Sequence, residues 1–457
     1  MQPESIQTCD LIIHPRYLVP VQPKGRVLDN QSVVISAGII KAILPADEAR
    51  QHWRAKKEVY RPDGVLLPGL VNAHTHNPMT LMRGLADDLP LMTWLREHIW
   101  PVETRLMSAE FVADGTALAI IEMLRGGTTC ANENYFFGAA QAQTYQQYGF
   151  RAVVGAIIID FPTAAAKDDD EYFARAEALY QQWHQHPLID VAIAPHAPYT
   201  VNDANLARVR QFSARYDLKV HMHLHETAQE VQDSLAAQQE RPLARLHRLG
   251  LVNERLLAVH MTQLTEEEIQ LCAAQQVSIV HCPESNLKLA SGFCPVARLQ
   301  QAGVRLALGT DGCASNNDLD MFGEIRMAAL LAKGVSADPT ALDAASALHA
   351  ATLGSAEAIG LGSRVGSIEV GKQADLICVN LNVTQAQPLH HVLSHLVYAA
   401  NQHHVTDVWI AGCQKVEAGV LVDLDEELIY ARARRWGARV QQARQAAQSE
   451  ADRQKRP

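Results

Sequence analysis

The sequence predicts an α/β chain built on a (β/α)8 barrel, with a small β-sandwich domain assembled from both chain ends. Eight short β-branched or apolar runs alternate with helical stretches between about residues 65 and 312. Shorter β-type runs, broken by Pro and Gly, lie near both ends, and neither set is large enough to bury a core alone. Histidine or aspartate closes six of the eight runs, and barrel chemistry sits at the C-terminal ends of the strands.

Residues 1–63 carry β-type runs at 11–13, 32–35 and 39–44, which form the N-terminal part of the small domain. The barrel is assigned 64–365, with runs at 65–71, 128–131, 152–159, 191–194, 220–224, 256–259, 277–280 and 305–308. Short, near-continuous apolar runs separated by helices signal a parallel sheet covered on its faces. The intervening segments are amphipathic, as at 206–216, and Thr265 with Glu268 three residues later forms a capping-box start. Residues 366–425 return to the β pattern at 374–381, 405–411 and 421–422 and complete the small domain. Residues 426–457 predict a basic C-terminal helix. From 428 on, eight Lys/Arg face only Glu450 and Asp452, a local charge of +6.

Composition narrows the function. Of 457 residues, 48% are hydrophobic and 20% charged, which excludes a disordered chain. Forty basic against fifty acidic residues give a net charge of −10, which argues against a general nucleic-acid binder. The polar start MQPESIQTCD lacks the pattern of a signal peptide, and no apolar stretch reaches the ~18–20 residues of a membrane helix. Eight scattered cysteines contain no C-x-x-C pair, so neither a disulfide framework nor a cysteine zinc site is expected, and a reducing cytoplasm fits.

The 20 histidines carry the chemistry. The first run leads into Asn72-Ala73-His74-Thr75-His76 and the fourth into Pro195-His196. The fifth contains His221, His223 and His225 and is followed by Glu226, the sixth and seventh end at His260 and His281, and the eighth at Thr310-Asp311. Imidazoles crowded in one barrel mouth are costly unless they bind a metal or move protons. The period-two spacing of His74 and His76 turns both to one side, a natural chelate. His221, His223 and His225 also share a face, so spacing leaves open which of them adds a third nitrogen. Asp311 offers an anionic oxygen. Three histidines and one aspartate suit Zn²⁺, or less commonly Fe²⁺, and such an ion lowers the pKa of its bound water to about 7. Glu226 is placed to shuttle a proton between water and substrate. The His390, His391 and His395 group has no acidic partner and reads as surface or packing, while His281 reads equally as pocket lining or core.

His74-Thr75-His76 after a Pro-Gly-Leu strand, His223 with Glu226 three residues on, and Gly309-Thr310-Asp311-Gly312 resemble the amidohydrolase superfamily. With Ser285-Asn286-Leu287-Lys288-Leu289, Ala314-Ser315-Asn316-Asn317, Leu81-Met82-Arg83-Gly84, Trp94 and Pro101-Val102-Glu103, the chain is similar to the cytosine-deaminase-like, chlorohydrolase-related branch. Within that branch it resembles the 5-methylthioadenosine/S-adenosylhomocysteine deaminase family, over about residues 60–425. The resemblance implies a distorted barrel and one metal on His74, His76, His223 and Asp311. Two-metal relatives carry a carbamylated lysine at the end of strand four, where this chain has Pro195-His196, so one ion per chain is expected. The same resemblance gives Glu226, Asp311 and His260 catalytic roles. It gives Glu103 the ribose hydroxyls, His196 the nucleoside and Trp94 the pocket wall, with Glu226 and Asp311 also touching substrate.

The activity it implies is hydrolytic deamination of an adenine nucleoside to the inosine analogue and ammonia. The alternative is a guanine, 8-oxoguanine, pterin or triazine aminohydrolase on the same metal set, which Glu103 disfavours because a free base has no ribose. A small-molecule nucleoside substrate, no nucleic acid, no membrane and a homo-oligomer are expected. Around strand three, residues 156–166 contain no arginine to clamp a carboxylate, and Asp160 would repel one. Leu89, Met92, Trp94, Ile159 and Phe161 offer apolar surface instead, and Arg83 and Arg151 are the candidates for a clamp supplied from elsewhere.

Overall fold

The computed structural model describes residues 6–454; the first five residues and Lys455, Arg456 and Pro457 of the basic tail lie outside that range. The chain forms two compact units. One contains the described residues up to Asn72 with Met123–Cys130 and Asp320–Asp423; the other contains Ala73–Glu122, Ala131–Leu319 and the described residues from Leu424 onward.

The first unit is built on a nine-stranded mixed sheet drawn from both ends of the chain. Gln7–Leu18 runs parallel to Trp53–Pro68 and antiparallel to Gln31–Ser36. The ends meet where Leu376–Asn380 pairs antiparallel with Trp53–Pro68, with Leu376 opposite Pro68 and Cys378 opposite Leu66. A bidentate ion pair reinforces this junction: Arg61 donates through Nε (2.6 Å) and Nη2 (2.5 Å) to the fully buried Asp407 carboxylate. The helices Met321–Ser336, Ala344–Ala350 and Leu353–Ala358 belong to the same unit.

Eight strands make the barrel sheet in sequential order: Leu70–Thr75, Thr128–Tyr135, Arg151–Ile158, Ile189–Pro195, Val220–Leu224, Leu256–His260, Ser278–His281 and Arg305–Leu308. The second through seventh are buried along almost their whole length, as strands covered on both faces must be. Asp168, Asn202, Thr227 and Thr265 cap the helices that follow strands three to six, and Thr265 with Glu268 forms the full capping box.

The run at 65–71 divides where the sequence expected one strand. Its first part ends the sheet strand Trp53–Pro68, and the barrel strand begins at Leu70. Gly69 allows the break, because a Cβ there would stand 2.0 Å from Thr129 Oγ1. Strand two runs on past Ala131 to Tyr135 through a fully buried polar stretch, Asn132-Glu133-Asn134.

The last strand returns to the first. Asp311 N–H donates to the His74 carbonyl (3.1 Å), and a Cβ on Gly309 would lie 2.7 Å from the His74 nitrogen and 2.8 Å from its oxygen. None of the eight cysteines is in a disulfide; seven are buried and Cys413 is exposed. Among the described residues, no helix is long and apolar enough to cross a membrane.

Gly309→Ala forces backbone against backbone. It should cost about 1–3 kcal/mol, the usual range for overpacking, read as a lower denaturant midpoint with an unchanged slope. A wild-type midpoint would contradict the close approach.

Candidate metal centre and nucleoside pocket

The strand ends bring five metal-donor side chains to one place. His74, His223, His260 and Asp311 each offer an atom within 4.8 Å of the others. His76 stands beside two of them, its Nε2 lying 3.2 Å from both Asp311 Oδ1 and His223 Nε2. His74 Nε2 is also 3.2 Å from Asp311 Oδ1. Donors about 3.3 Å apart suit a tetrahedral centre with bonds of about 2.0–2.1 Å, so these residues fit a divalent ion of the amidohydrolase type.

The other nitrogen of each ring is committed elsewhere. Nδ1 of His74 meets His221 Nε2 (2.8 Å), and that of His76 meets the Asn134 carbonyl. Nδ1 of His223 donates to the His196 carbonyl (2.7 Å), and that of His260 to Asn286 Oδ1 (2.8 Å). Such partners fix the tautomer and the ring plane and leave Nε2 available to an ion. Asp311 is held likewise: Ser285 Oγ (2.6 Å) and Ser315 Oγ (2.9 Å) donate to its Oδ2. Asp311 (φ 62°) and His260 (φ 74°) both sit in the left-handed region, a cost that the surrounding hydrogen bonds must offset.

Burial pushes the His74 pKa down to about 3 and that of His223 well below its usual value, so both rings are neutral, as ligands require. Burial opposes the charge on Asp311, but His74 and His76 beside it prevail and hold the carboxyl far below its ordinary range. Glu226 is buried, which raises its pKa, and its Oε2 lies 3.9 Å from His260 Nε2. A carboxyl poised in this way can both accept and return a proton.

A cavity of about 560 Å³ opens from the centre. Of the expected site residues, His76, Trp94, Glu103, His196, His223, Glu226, His260 and Asp311 all line it, whereas His74 lies wholly beneath the surface. Glu103 accepts the Tyr135 hydroxyl (2.5 Å), and burial raises its pKa. His196 is held by Thr200 Oγ1 (3.0 Å) and pushed down to about 4 by burial. Trp94 donates its one N–H to the Ala86 carbonyl (3.1 Å). Among the described residues, no arginine or lysine lines the cavity. Arg83 pairs with Glu122, Arg151 reaches the Pro187 carbonyl, and Asp160 accepts from Asn202 and Asn205. Ile159 and Phe161 line the cavity with Trp94, while Leu89 and Met92 pack behind the wall.

His225 turns away, accepting the Leu243 N–H (3.0 Å). His281 is buried outside the cavity lining, with no partner on either ring nitrogen among the described residues. His391 caps the helix Val392–Tyr398. Glu133 and Asn134 escaped the sequence reading. Glu133 accepts the Asn77 N–H (3.1 Å) and the Tyr145 hydroxyl (3.1 Å), fixing the chain just after His76. An apolar criterion for strands passes over such residues; a polar run directly following one is the signal that could have found them.

The Amidohydrolase family pattern matches residues 65–415. The 5-methylthioadenosine/S-adenosylhomocysteine deaminase of Teredinibacter turnerae is 46% identical over 429 residues, covering 94% of this chain and 97% of that one. That of Saccharophagus degradans is 43% identical over 435 residues, covering 95% and 98%. The crystal structure of a zinc-bound adenosine deaminase from Xanthomonas campestris is 64% identical, with a TM-score of 0.95, over 96% of this chain and all of that one. At 22% identity and a TM-score of 0.86, atrazine chlorohydrolase from Arthrobacter aurescens shares the fold. The strand-end cluster of possible metal donors, the barrel and these relatives lead to one assignment: the chain belongs to the amidohydrolase family and is a metal-dependent hydrolase.

Proposed function

We propose that this protein is a zinc-dependent deaminase of adenine nucleosides, taking the nucleoside and water to the inosine analogue and ammonia. The observation that carries this reading is the buried Glu103 carboxylate, which lines the same cavity as the metal donors and Glu226. A carboxylate there gives ribose hydroxyls an acceptor, which a free base would leave unused. The deaminases named for 5-methylthioadenosine, S-adenosylhomocysteine and adenosine among its relatives support the same substrate class.

His74, His76, His223 and Asp311 would hold one zinc ion, which when bound supplies a water acidic enough to react near neutral pH. His76 is preferred to His260 as a ligand because its Nε2 touches both Asp311 and His223. His260, fixed by Asn286, orients the attacking water. Glu226 would take one proton from the water and pass it to N1 of the adenine ring as the water oxygen bonds to C6; the water's second proton goes to the amino nitrogen, the C6–N bond breaks, and ammonia leaves a C6 carbonyl. Glu103 takes the ribose hydroxyls, His196 contacts the nucleoside, and Trp94 walls the pocket.

Metal analysis should find one zinc per chain, and His223→Ala should lose both metal and activity. Two ions per chain in fully active enzyme, or full activity without metal, would contradict the assignment.

Glu226→Gln keeps the side chain's shape but cannot carry the proton. It should retain zinc while turnover falls by about 10²–10⁴-fold or more. A variant within a few-fold of the wild-type kcat removes Glu226 from the mechanism.

The apolar, arginine-free lining sets the order among nucleosides. Burying a methylthio group on Ile159, Phe161 and Trp94, at about 0.8 kcal/mol per methylene-sized group, favours 5-methylthioadenosine over adenosine by about tenfold. S-adenosylhomocysteine, whose carboxylate meets no guanidinium in the lining, should come last. Ammonia release as kcat/KM for the three nucleosides tests the order, and a preference for S-adenosylhomocysteine overturns it.

A further inference from the structure

The basic C-terminal helix is unused by the chemistry above, yet its apolar stripe is deeply buried. In Glu426–Gln454, the residues Ile429, Trp436, Val440 and Ala443 fall on one helical face and are at most 7% exposed. Trp436, Val440 and Ala443 share a single apolar cluster with Trp94, Leu95, Ile99, Val102 and Phe111. Trp436 meets Phe111 edge-on at 5.1 Å and donates its N–H to Asp114 Oδ2 (2.9 Å). Arg432 reaches the other oxygen of Asp114 (3.3 Å), Arg439 lies 3.9 Å over the Trp436 ring, and Arg105 pairs with Glu450. Part of the helix's positive charge is therefore satisfied within the molecule.

What the helix packs against is the pocket wall. Leu91, Trp94, Ile99, Glu103 and Met107 all line the cavity and all come from one short stretch. That stretch is made of weak elements: a single helical turn at Leu91–Thr93, a π-helical turn at Trp94–Ile99 and the seven-residue helix Trp100–Leu106. Segments this short do not hold their shape without tertiary packing. The C-terminal helix lies directly against Trp100–Leu106.

We infer that the C-terminal helix is a strut that positions the wall carrying Trp94 and Glu103, so that it governs nucleoside affinity while leaving the metal centre and its chemistry alone. Trp436 and Asp114 are its positioning residues. The inference rests on the nucleoside reading of Glu103.

The test uses the full-length zinc enzyme with Trp436→Ala, Trp436→Phe and Asp114→Asn. Trp436→Ala should raise KM for 5-methylthioadenosine about tenfold, the equivalent of roughly 1.4 kcal/mol of lost binding, with kcat within about twofold and zinc content unchanged. Trp436→Phe should recover most of the loss. Asp114→Asn, which keeps the core filled, should raise KM about threefold, a share of the same lost binding. Amide exchange should quicken across residues 91–107 in both damaging variants and stay unchanged in the barrel strands. If Trp436→Ala does not fold, Asp114→Asn alone decides. Unchanged KM and unchanged exchange overturn the strut, as does a fall in kcat or zinc at constant KM. Should the wild-type enzyme release no ammonia from any adenine nucleoside, the substrate reading fails, while amide exchange still judges the strut.

Discussion

Each imidazole of the candidate metal centre has one nitrogen already spoken for, and much of the architecture follows from that constraint. Three of the fixing partners come from barrel strands or the residue just after one: His221 within strand five, the Asn134 carbonyl near the end of strand two and the His196 carbonyl just after strand four. The donors can only converge if neighbouring strands hold a definite register and the barrel returns on itself. Gly309 permits that return by letting the last strand lie against the His74 backbone, and the Asp311 N–H bonded to the His74 carbonyl fixes it. An ion can then be gripped without reorganising the protein, which is where pre-organised sites gain their advantage.

Burial sets the protonation states that this centre needs. His74, His196 and His223 are kept neutral because a charged ring would lose its water. Asp311 stays ionised in the same environment because two imidazoles and two serine hydroxyls surround it. Glu226 and Glu103, lacking such partners in number, are pushed toward the protonated form. The cavity thus divides into a polar floor and a largely apolar wall that carries Glu103. The wall comes from a stretch of short elements that the C-terminal helix packs against.

Much of this was legible in the sequence, because buried parallel strands announce themselves as short apolar runs and ligands follow them. Seven of the eight runs coincide closely with the starts of strands. The first was misplaced because apolarity alone cannot mark the hand-over at Gly69 from the mixed sheet to the barrel. Period two could not separate His221 from His223, since both do point to the centre; His221 meets the Nδ1 of His74, while His223 brings its Nε2 beside that of His76. Strand two was cut short because Asn132, Glu133 and Asn134 look like a loop and are in fact buried. Ser285, Asn286 and Ser315 stood out as motif residues, yet only the folded structure shows that they hold Asp311 and His260. The packing partner of the basic helix lies more than 300 residues upstream, at Trp94–Asp114, beyond the reach of local pattern.

The most direct test of this account is anomalous diffraction at the zinc edge from crystals of the zinc-loaded protein. The account predicts a single peak, about 2.0–2.2 Å from Nε2 of His74, His76 and His223 and from one Asp311 oxygen, with His260 outside bonding distance. A peak bonded to His260 in place of His76, or a second ion in the same mouth, would contradict it.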